Sequence, residues 1–179
     1  MKNSLVMDRE QMERTLSRLA HEIVEQNADL EGLVLLGIPT GGYHLARRLR
    51  ERIKKITGKD VAAGAVDATM YRDDIGIKKD QPALKEMDIP VSIDEKVVIM
   101  VDDVLFTGRT IRAALNALMD FGRPLAVRLA VLVDRGHREL PIKADYVGKN
   151  IPTARTEGVR VLLKEVDGTD GVYVTREDD

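Results

Sequence analysis

Apolar positions recur along this chain in two rhythms that alternate. Met12, Leu16, Leu19 and Ile23 lie three or four residues apart, the period of one helix face. Asp8 with Gln11 three residues later has the form of a capping box, so a helix is predicted from there to about Gln26. Leu33 to Leu36 is a short apolar run and reads as a strand. Leu45, Leu49, Ile53 and Ile56 then form a second helical face, with Gly58 as its stop. Val61 to Met70 reads as another strand, and Val97 to Val101 as one buried on both faces. Ile111 to Met119 has helical spacing, ended by Gly122 and Pro124. Ala126 to Val133 is a strong strand and Asp134 to Pro141 a charged turn. Beyond Lys143 the signals shorten, with small strands at Tyr146-Val147, Val159 to Leu163 and Val172 to Val174.

Strands alternating with helices predict an α/β fold around a mainly parallel sheet, and the short late strands add a small subdomain. One stretch breaks the rhythm. From Tyr71 to Ile89 the chain is polar, carries Asp73, Asp74, Lys78, Lys79, Asp80 and Pro82, and follows neither period. It reads as a long loop, and loops of that length in compact domains are functional or disordered. No internal repeat interrupts the chain.

Composition narrows the picture. A chain of 179 residues with 44% hydrophobic content suits a single domain over 1–179, large enough to bury about 70% of its unfolded surface. Without cysteine there is no disulfide, thiolate ligand or thiol nucleophile. No apolar run reaches the length of a membrane span, and Met1 to Val6 lacks a signal-peptide core, so a cytoplasmic protein with no membrane partner is expected. Lys and Arg number 28 against 30 Asp and Glu, a net charge of -2. A nucleic-acid partner therefore needs a local basic patch. Aromatics at 3% and the absence of Trp argue against a stacking platform for single strands.

The chemistry is concentrated in residues 97 to 110, Val-Val-Ile-Met-Val-Asp-Asp-Val-Leu-Phe-Thr-Gly-Arg-Thr. Two carboxylates, Asp102 and Asp103, stand at the carboxyl end of the apolar strand. A turn with Thr107, Gly108 and Thr110 follows, and then a helix. The first amides of a helix lack intrahelical partners and its dipole favours an anion, so this corner suits a phosphate. The carboxylates repel phosphate but accept hydrogen bonds from a sugar diol. Together they call for a sugar phosphate, outside the carboxyl ends of the strands where open α/β sheets bind ligands. Gly37 to Gly42 is a second strand-to-helix loop with three glycines; in isolation a plain tight turn accounts for it.

Acidic-acidic followed by Thr-Gly-x-Thr after a hydrophobic strand resembles the phosphoribosyl-pyrophosphate (PRPP) motif of type I phosphoribosyltransferases. The resemblance implies a Rossmann-like core with a hood over the base. It implies that Asp102 and Asp103 clamp the diol, that the backbone of Leu105, Phe106, Thr107, Gly108, Arg109 and Thr110, with Val104 beside it, holds the 5'-phosphate, and that Thr40, Gly41 and Gly42 form the pyrophosphate loop. Arg72, in Tyr-Arg-Asp-Asp at the start of the long loop, is placed to neutralise departing pyrophosphate when that loop closes as a lid. Magnesium is expected with PRPP, whose oxygens suit a hard cation; no all-protein metal cage is visible. Gly41 departs from relatives that carry a basic residue after the threonine. In 6-oxopurine enzymes of the family an aspartate matches Phe106, so Phe106 favours a pyrimidine.

Further stretches resemble the bifunctional members of the family that attenuate pyrimidine operons: Ser-Arg-Leu-Ala-His-Glu at 17 to 22, Asp-Arg-Gly-His-Arg-Glu-Leu-Pro at 134 to 141 and Gly-Lys-Asn-Ile-Pro-Thr at 148 to 153. This likeness implies conversion of uracil and PRPP to UMP and diphosphate. It also implies binding of a pyrimidine-operon leader mRNA hairpin in response to UMP or UTP, by a homodimer or higher homo-oligomer. The RNA face so implied comprises Arg14, Ser17, Arg18 and His21 with His137, Arg138, Lys143, Lys149 and Arg155. Spacing does place Arg14, Arg18 and His21 on one solvent face of the first helix. Glu10, Glu22 and Glu25 are spaced to pair with them, however, so a salt-bridged surface fits the spacing equally well. A second basic set, Arg47, Arg48, Arg50, Arg52, Lys54, Lys55 and Lys59, lies on the second helix and its tail, and a third comprises Arg135, His137, Arg138, Lys143, Lys149 and Arg155. Two alternatives stay open: a pyrimidine-base salvage enzyme without RNA binding, and a regulator that keeps the pocket only as a nucleotide sensor.

Overall fold

The computed structural model describes residues 2–71 and 87–176. In chain order its elements are β1 (Lys2–Met7), α1 (Arg9–Gln26), β2 (Leu33–Gly37), α2 (Gly41–Thr57), β3 (Ala62–Ala65), β4 (Val97–Leu105), α3 (Arg109–Met119), β5 (Ala126–Asp134), β6 (Tyr146–Asn150), β7 (Glu157–Leu162), α4 (Lys164–Asp167) and β8 (Gly171–Arg176). Five strands pair in parallel in the order β3-β2-β4-β5-β6. Alternate residues along each strand point to opposite faces. Leu33, Leu35, Ile99, Val101, Ala130 and Leu132 pack with α1 and α2, while Val34, Leu36, Val98, Met100, Leu129 and Val131 pack with α3. The chain leaves β2 toward one edge and returns to build β4 on its other side. The crevice between the ends of β2 and β4 is therefore the switch point at which such sheets bind ligands.

Local chemistry fixes the helix ends. Asp8 Oδ1 accepts from the Gln11 amide at 2.8 Å and the Asp8 amide donates to Gln11 Oε1 at 2.9 Å, completing the capping box. The last turn of α1 holds no basic residue. Arg128 of β5 supplies the cation instead, donating to Gln26 O at 3.4 Å and Asn27 Oδ1 at 3.0 Å, at the negative end of the helix dipole. Gly58, at φ 72°, ends α2 in the left-handed conformation that glycine tolerates.

Five features differ from the sequence expectation. The strand expected over 61–70 runs only from Ala62 to Ala65, because Asp67 Oδ1 accepts from the Thr69 amide and hydroxyl and turns the chain. β4 continues past Val101, since Asp102, Val104 and Leu105 keep pairing with β5; the two carboxylates stand within the strand. Ile56 is 37% exposed, because the four-residue series Leu45, Leu49, Ile53 continues inward at Thr57. Tyr146-Val147 belongs to the main sheet as β6. The small subdomain is instead a three-stranded antiparallel sheet, β1-β8-β7, whose edge strand β1 carries no clear apolar period.

This hood is tied to α2 by charge. Arg48 Nε donates to Glu165 Oε1 at 2.9 Å, and its Nη2 donates to Glu165 Oε2 at 2.5 Å and to Asp170 Oδ1 at 2.7 Å. The Asp170 side chain is only 4% exposed. Arg50 forks onto Asp60, whose carboxyl it holds at about 2, and Arg52 pairs with Glu13 of α1. The basic set of α2 is thus largely engaged in holding neighbouring elements. Arg48→Met leaves Asp170 buried without its guanidinium and is expected to lower stability at pH 7 by about 3 kcal/mol. Hydrogen bonds from Arg48 also hold the Glu165 carboxyl below its ordinary 4.5. Its contribution is therefore present above that value and is lost as pH falls through the lowered one. Urea unfolding at stepped pH should show this part of the acid loss in the wild type and not in Arg48→Met; parallel curves would contradict the assignment.

Candidate functional site

Both strand-to-helix corners meet at the switch point. Asp102 is buried, at 7% exposure, and Asp103 beside it is half-buried. The Asp103 amide donates to Asp102 Oδ1 at 2.9 Å and the Val104 amide to Asp103 Oδ1 at 2.8 Å, so each carboxylate is oriented by the next residue's backbone. The 37–42 loop is pressed against this strand end. The Ile38 amide donates to Val101 O at 2.8 Å. A Cβ at Gly42 would lie 2.1 Å from Val101 O, and one at Gly41 would lie 2.5 Å from Asp103 Oδ2. The Pro39-Thr40 peptide is cis. Gly41 therefore has a local reason: it lets the loop lie directly on the Asp103 carboxylate.

The loop from Phe106 to Thr110 forms the other wall. Gly108, at φ 91°, caps α3, and a Cβ there would crowd Ile142 at 3.3 Å. The 134–142 turn braces the loop from behind. Thr107 O accepts from the amides of Glu139 and Leu140 at 2.9 and 3.2 Å, and Arg109 Nε donates to Glu139 Oε2 at 2.7 Å. Arg138 donates to Phe106 O at 2.8 Å, to Ile142 O at 2.9 Å and to Asp134 Oδ2 at 2.5 Å. His137 Nε2 faces Thr153 O at 2.5 Å and so carries the proton. Its ring is edge-on to Phe106 with centroids 6.3 Å apart. Arg135 is buried, not part of a basic surface, and burial holds its guanidinium below its ordinary value against the pull of Glu157.

A second concave surface lies on the α1 side. Met7, Gln11, Arg14, Thr15, Arg18 and Lys149 line a groove of about 350 Å³. Arg14 pairs with Glu10 and Arg18 with Glu22, each at 2.5 Å. Arg18 also donates to Gly148 O at 2.5 Å and Val147 O at 3.3 Å in β6, while Lys149 Nζ donates to Val6 O at 2.8 Å. The fold thus unites Arg14, Arg18 and Lys149, residues far apart in sequence. Ser17 and His21 are exposed on the same helix. Of the other basic residues in the expected RNA face, His137 and Arg138 stand at the Phe106 loop; Lys143 and Arg155 are exposed and do not line the groove. Gln11 and Thr15 were not expected here. Their spacing to Arg14 and Arg18 carried the signal, but Gln11 read as a cap.

Arg72 and the body of the expected lid lie outside the described residues. Just before them, Tyr71 Oη donates to Asp120, and Arg112 Nη2 donates to Tyr71 O at 3.1 Å, fixing the start of that segment to α3. Among the described residues no group of three or more His, Cys, Asp or Glu could hold a metal ion, and no helix is long and apolar enough to cross a membrane.

Comparison with known proteins agrees with this geometry. Residues 4–165 match the family model described as a phosphoribosyl transferase domain. The chain is 60% identical over 168 residues to the "Bifunctional protein PyrR" of Elusimicrobium minutum, covering 94% of each. It is 53% identical over 173 residues to the protein of that name from Bacillus subtilis, covering 96% of each. Among solved structures, a hypoxanthine-guanine phosphoribosyltransferase from Bacillus anthracis matches with a TM-score of 0.72 over 99% of this chain and 100% of that one, at 22% identity. A hypoxanthine phosphoribosyltransferase from Staphylococcus aureus matches with a TM-score of 0.70 over 97% and 92%, also at 22% identity. At such identity the likeness is one of fold.

The approach at Gly41 gives a direct test of the site. Gly41→Ala must displace the Asp103 carboxylate, so turnover should fall about tenfold or more with the thermal midpoint nearly unchanged. Steady-state kinetics beside a melting curve would measure it, and unchanged turnover would show that the contact is not needed.

Proposed function

The chain belongs to the phosphoribosyl transferase family, in its PyrR branch, and on that premise we propose that it converts uracil and PRPP to UMP and diphosphate and binds a pyrimidine-operon leader RNA hairpin in response to uridine nucleotides. The observation that carries the enzymatic half is the contact of the Thr40–Gly42 loop with Asp103, beside the start of α3. A diol site and two anion sites then lie within one ligand's reach.

In this reading Asp102 and Asp103 accept hydrogen bonds from the ribose hydroxyls, the 5'-phosphate sits at the α3 start over Leu105 to Thr110, and the diphosphate sits on Thr40, Gly41 and Gly42. Uracil N1 bonds to the sugar C1 as the bond from C1 to the diphosphate oxygen breaks, and the N1 proton is released. The carboxylates favour the cationic sugar that develops between the two events, which is catalysis by arranged charge. Charge on the diphosphate would be neutralised by magnesium bound with PRPP. The adjacent Asp102 and Asp103 oxygens suit a hard cation already partly held by its substrate. Arg72, which lies outside the described residues, is proposed as the cation for the departing diphosphate. Within this proposal 1–179 is one phosphoribosyltransferase domain of a cytoplasmic homo-oligomer.

The groove supports the RNA half. Arg14, Arg18 and Lys149 line a concavity that Gln11 and Thr15 also line, whereas Arg48, Arg50 and Arg52 of α2 pair with carboxylates away from it. A concave basic surface with few aromatics suits a folded hairpin better than an extended strand.

Pyrophosphate release with PRPP, magnesium and, in turn, uracil, orotate, hypoxanthine and guanine tests the enzymatic half. Uracil should be used best; preference for a purine would overturn the reading of Phe106. Asp103→Asn should fold normally and lose most of its turnover, and unchanged kinetics would sink the diol assignment. For the RNA half, filter binding across a salt series should show that Arg18→Ala weakens binding with uracil transfer intact and lowers the salt slope by about 0.7 to 0.9. If Arg52→Ala alone abolished binding, the RNA face would lie on α2.

A further inference from the structure

Arg135 takes no part in the reaction as described, yet it is a buried cation next to the proposed nucleotide loop, with hydrogen bonds from its guanidinium to three residues. It is 6% exposed, and burying a guanidinium is costly unless its donors are used. Nε donates to Thr153 Oγ1 at 3.2 Å, and Nη2 donates to Ala154 O at 3.2 Å and Glu157 O at 2.6 Å. Its own amide donates to Leu105 O at 3.1 Å. Above this fork lies the Phe106 ring, its centroid 3.9 Å from Cζ. One guanidinium therefore joins the residue that follows the Asp102-Asp103 strand to the segment, 153–157, that enters the hood.

Phe106 remains 36% exposed although Arg135 covers one face and His137 approaches its edge. Its orientation is thus set by a planar cation behind it rather than by surrounding core. A ring fixed in this way offers a flat apolar surface beside the sugar-binding carboxylates, where a planar base would pack.

We propose that Arg135 is a positioning residue for the base: by stacking on Phe106 and gripping Thr153, Ala154 and Glu157, it makes the ring and the hood's first segment one fixed wall against which the pyrimidine seats. The proposal rests on the assignment of uracil transfer. It requires a planar, multidentate group, which lysine does not supply although it keeps the charge.

The test is steady-state kinetics of Arg135→Lys, Phe106→Leu and the double variant, varying uracil and PRPP separately. Arg135→Lys should raise the KM for uracil about tenfold, with the KM for PRPP and kcat within about twofold of wild type. Phe106→Leu should show the same split. The double variant should be no worse than the poorer single one, because both changes remove one wall. An unchanged uracil KM, a parallel rise in both KM values, or a multiplicative double variant would overturn the proposal. Should Arg135→Lys fail to fold, Thr153→Val, which removes one acceptor and leaves the stack, is read by the same split. Failure of the wild type to use uracil would sink the functional reading instead, so the two failures are distinguishable.

Discussion

The close approach of the 37–42 loop to the end of β4 is the constraint on which the site depends. Gly42 lies so near Val101 O that a Cβ would meet it at 2.1 Å, and Gly41 rests on Asp103 at 2.5 Å by the same measure. Two strand-to-helix corners are thereby fused into one wall. A parallel sheet alone would have left two separate anion sites, each no more than a helix start. Pressed together, they bracket the pair of carboxylates that β4 carries, and the result suits a phosphorylated sugar: negative in the middle for hydroxyls, backbone donors at both ends for anions.

The neighbouring edge of the same sheet connects this wall to the basic groove. β6 pairs with β5 from Ala130↔Tyr146 to Asp134↔Asn150. Its Val147 and Gly148 carbonyls accept from Arg18, its Lys149 reaches Val6, and the chain beyond it meets His137 and Arg135. β6 therefore touches the groove with its middle, and Thr153 beyond its end reaches the turn that braces the Phe106 loop. On the proposed function, nucleotide at the Phe106 loop and RNA at the groove would lie at two ends of this one sheet edge.

Much of this was legible in the sequence, and what was missed has physical causes. The capping box, the i,i+4 faces of α1 and α2 and the double-acid motif are local signals, each set by residues within one or two turns. The shortness of β3 was hidden because Asp67, a turn-forming acceptor, sits inside an apolar stretch. The extent of β4 was hidden because charged residues in a strand are tolerated only when a ligand site or a neighbouring strand accounts for them, and pairing with β5 is not written in residues 102 to 105. β1 was missed since an edge strand needs little apolar pattern. Basic residues are the least legible: Arg48, Arg50, Arg52 and Arg135 look alike in sequence to Arg14 and Arg18, and only the folded position of each separates those that line the groove from those that do not.

The central proposal is that nucleotide binding and RNA binding are coupled in this one protein. Calorimetric titration of UMP into the protein, alone and saturated with a pyrimidine-operon leader hairpin, measures it directly. The account predicts tighter UMP binding in the presence of RNA, by the same factor by which UMP tightens RNA binding, as linkage requires. Equal UMP affinities with and without the hairpin would contradict it, even if both ligands bound well.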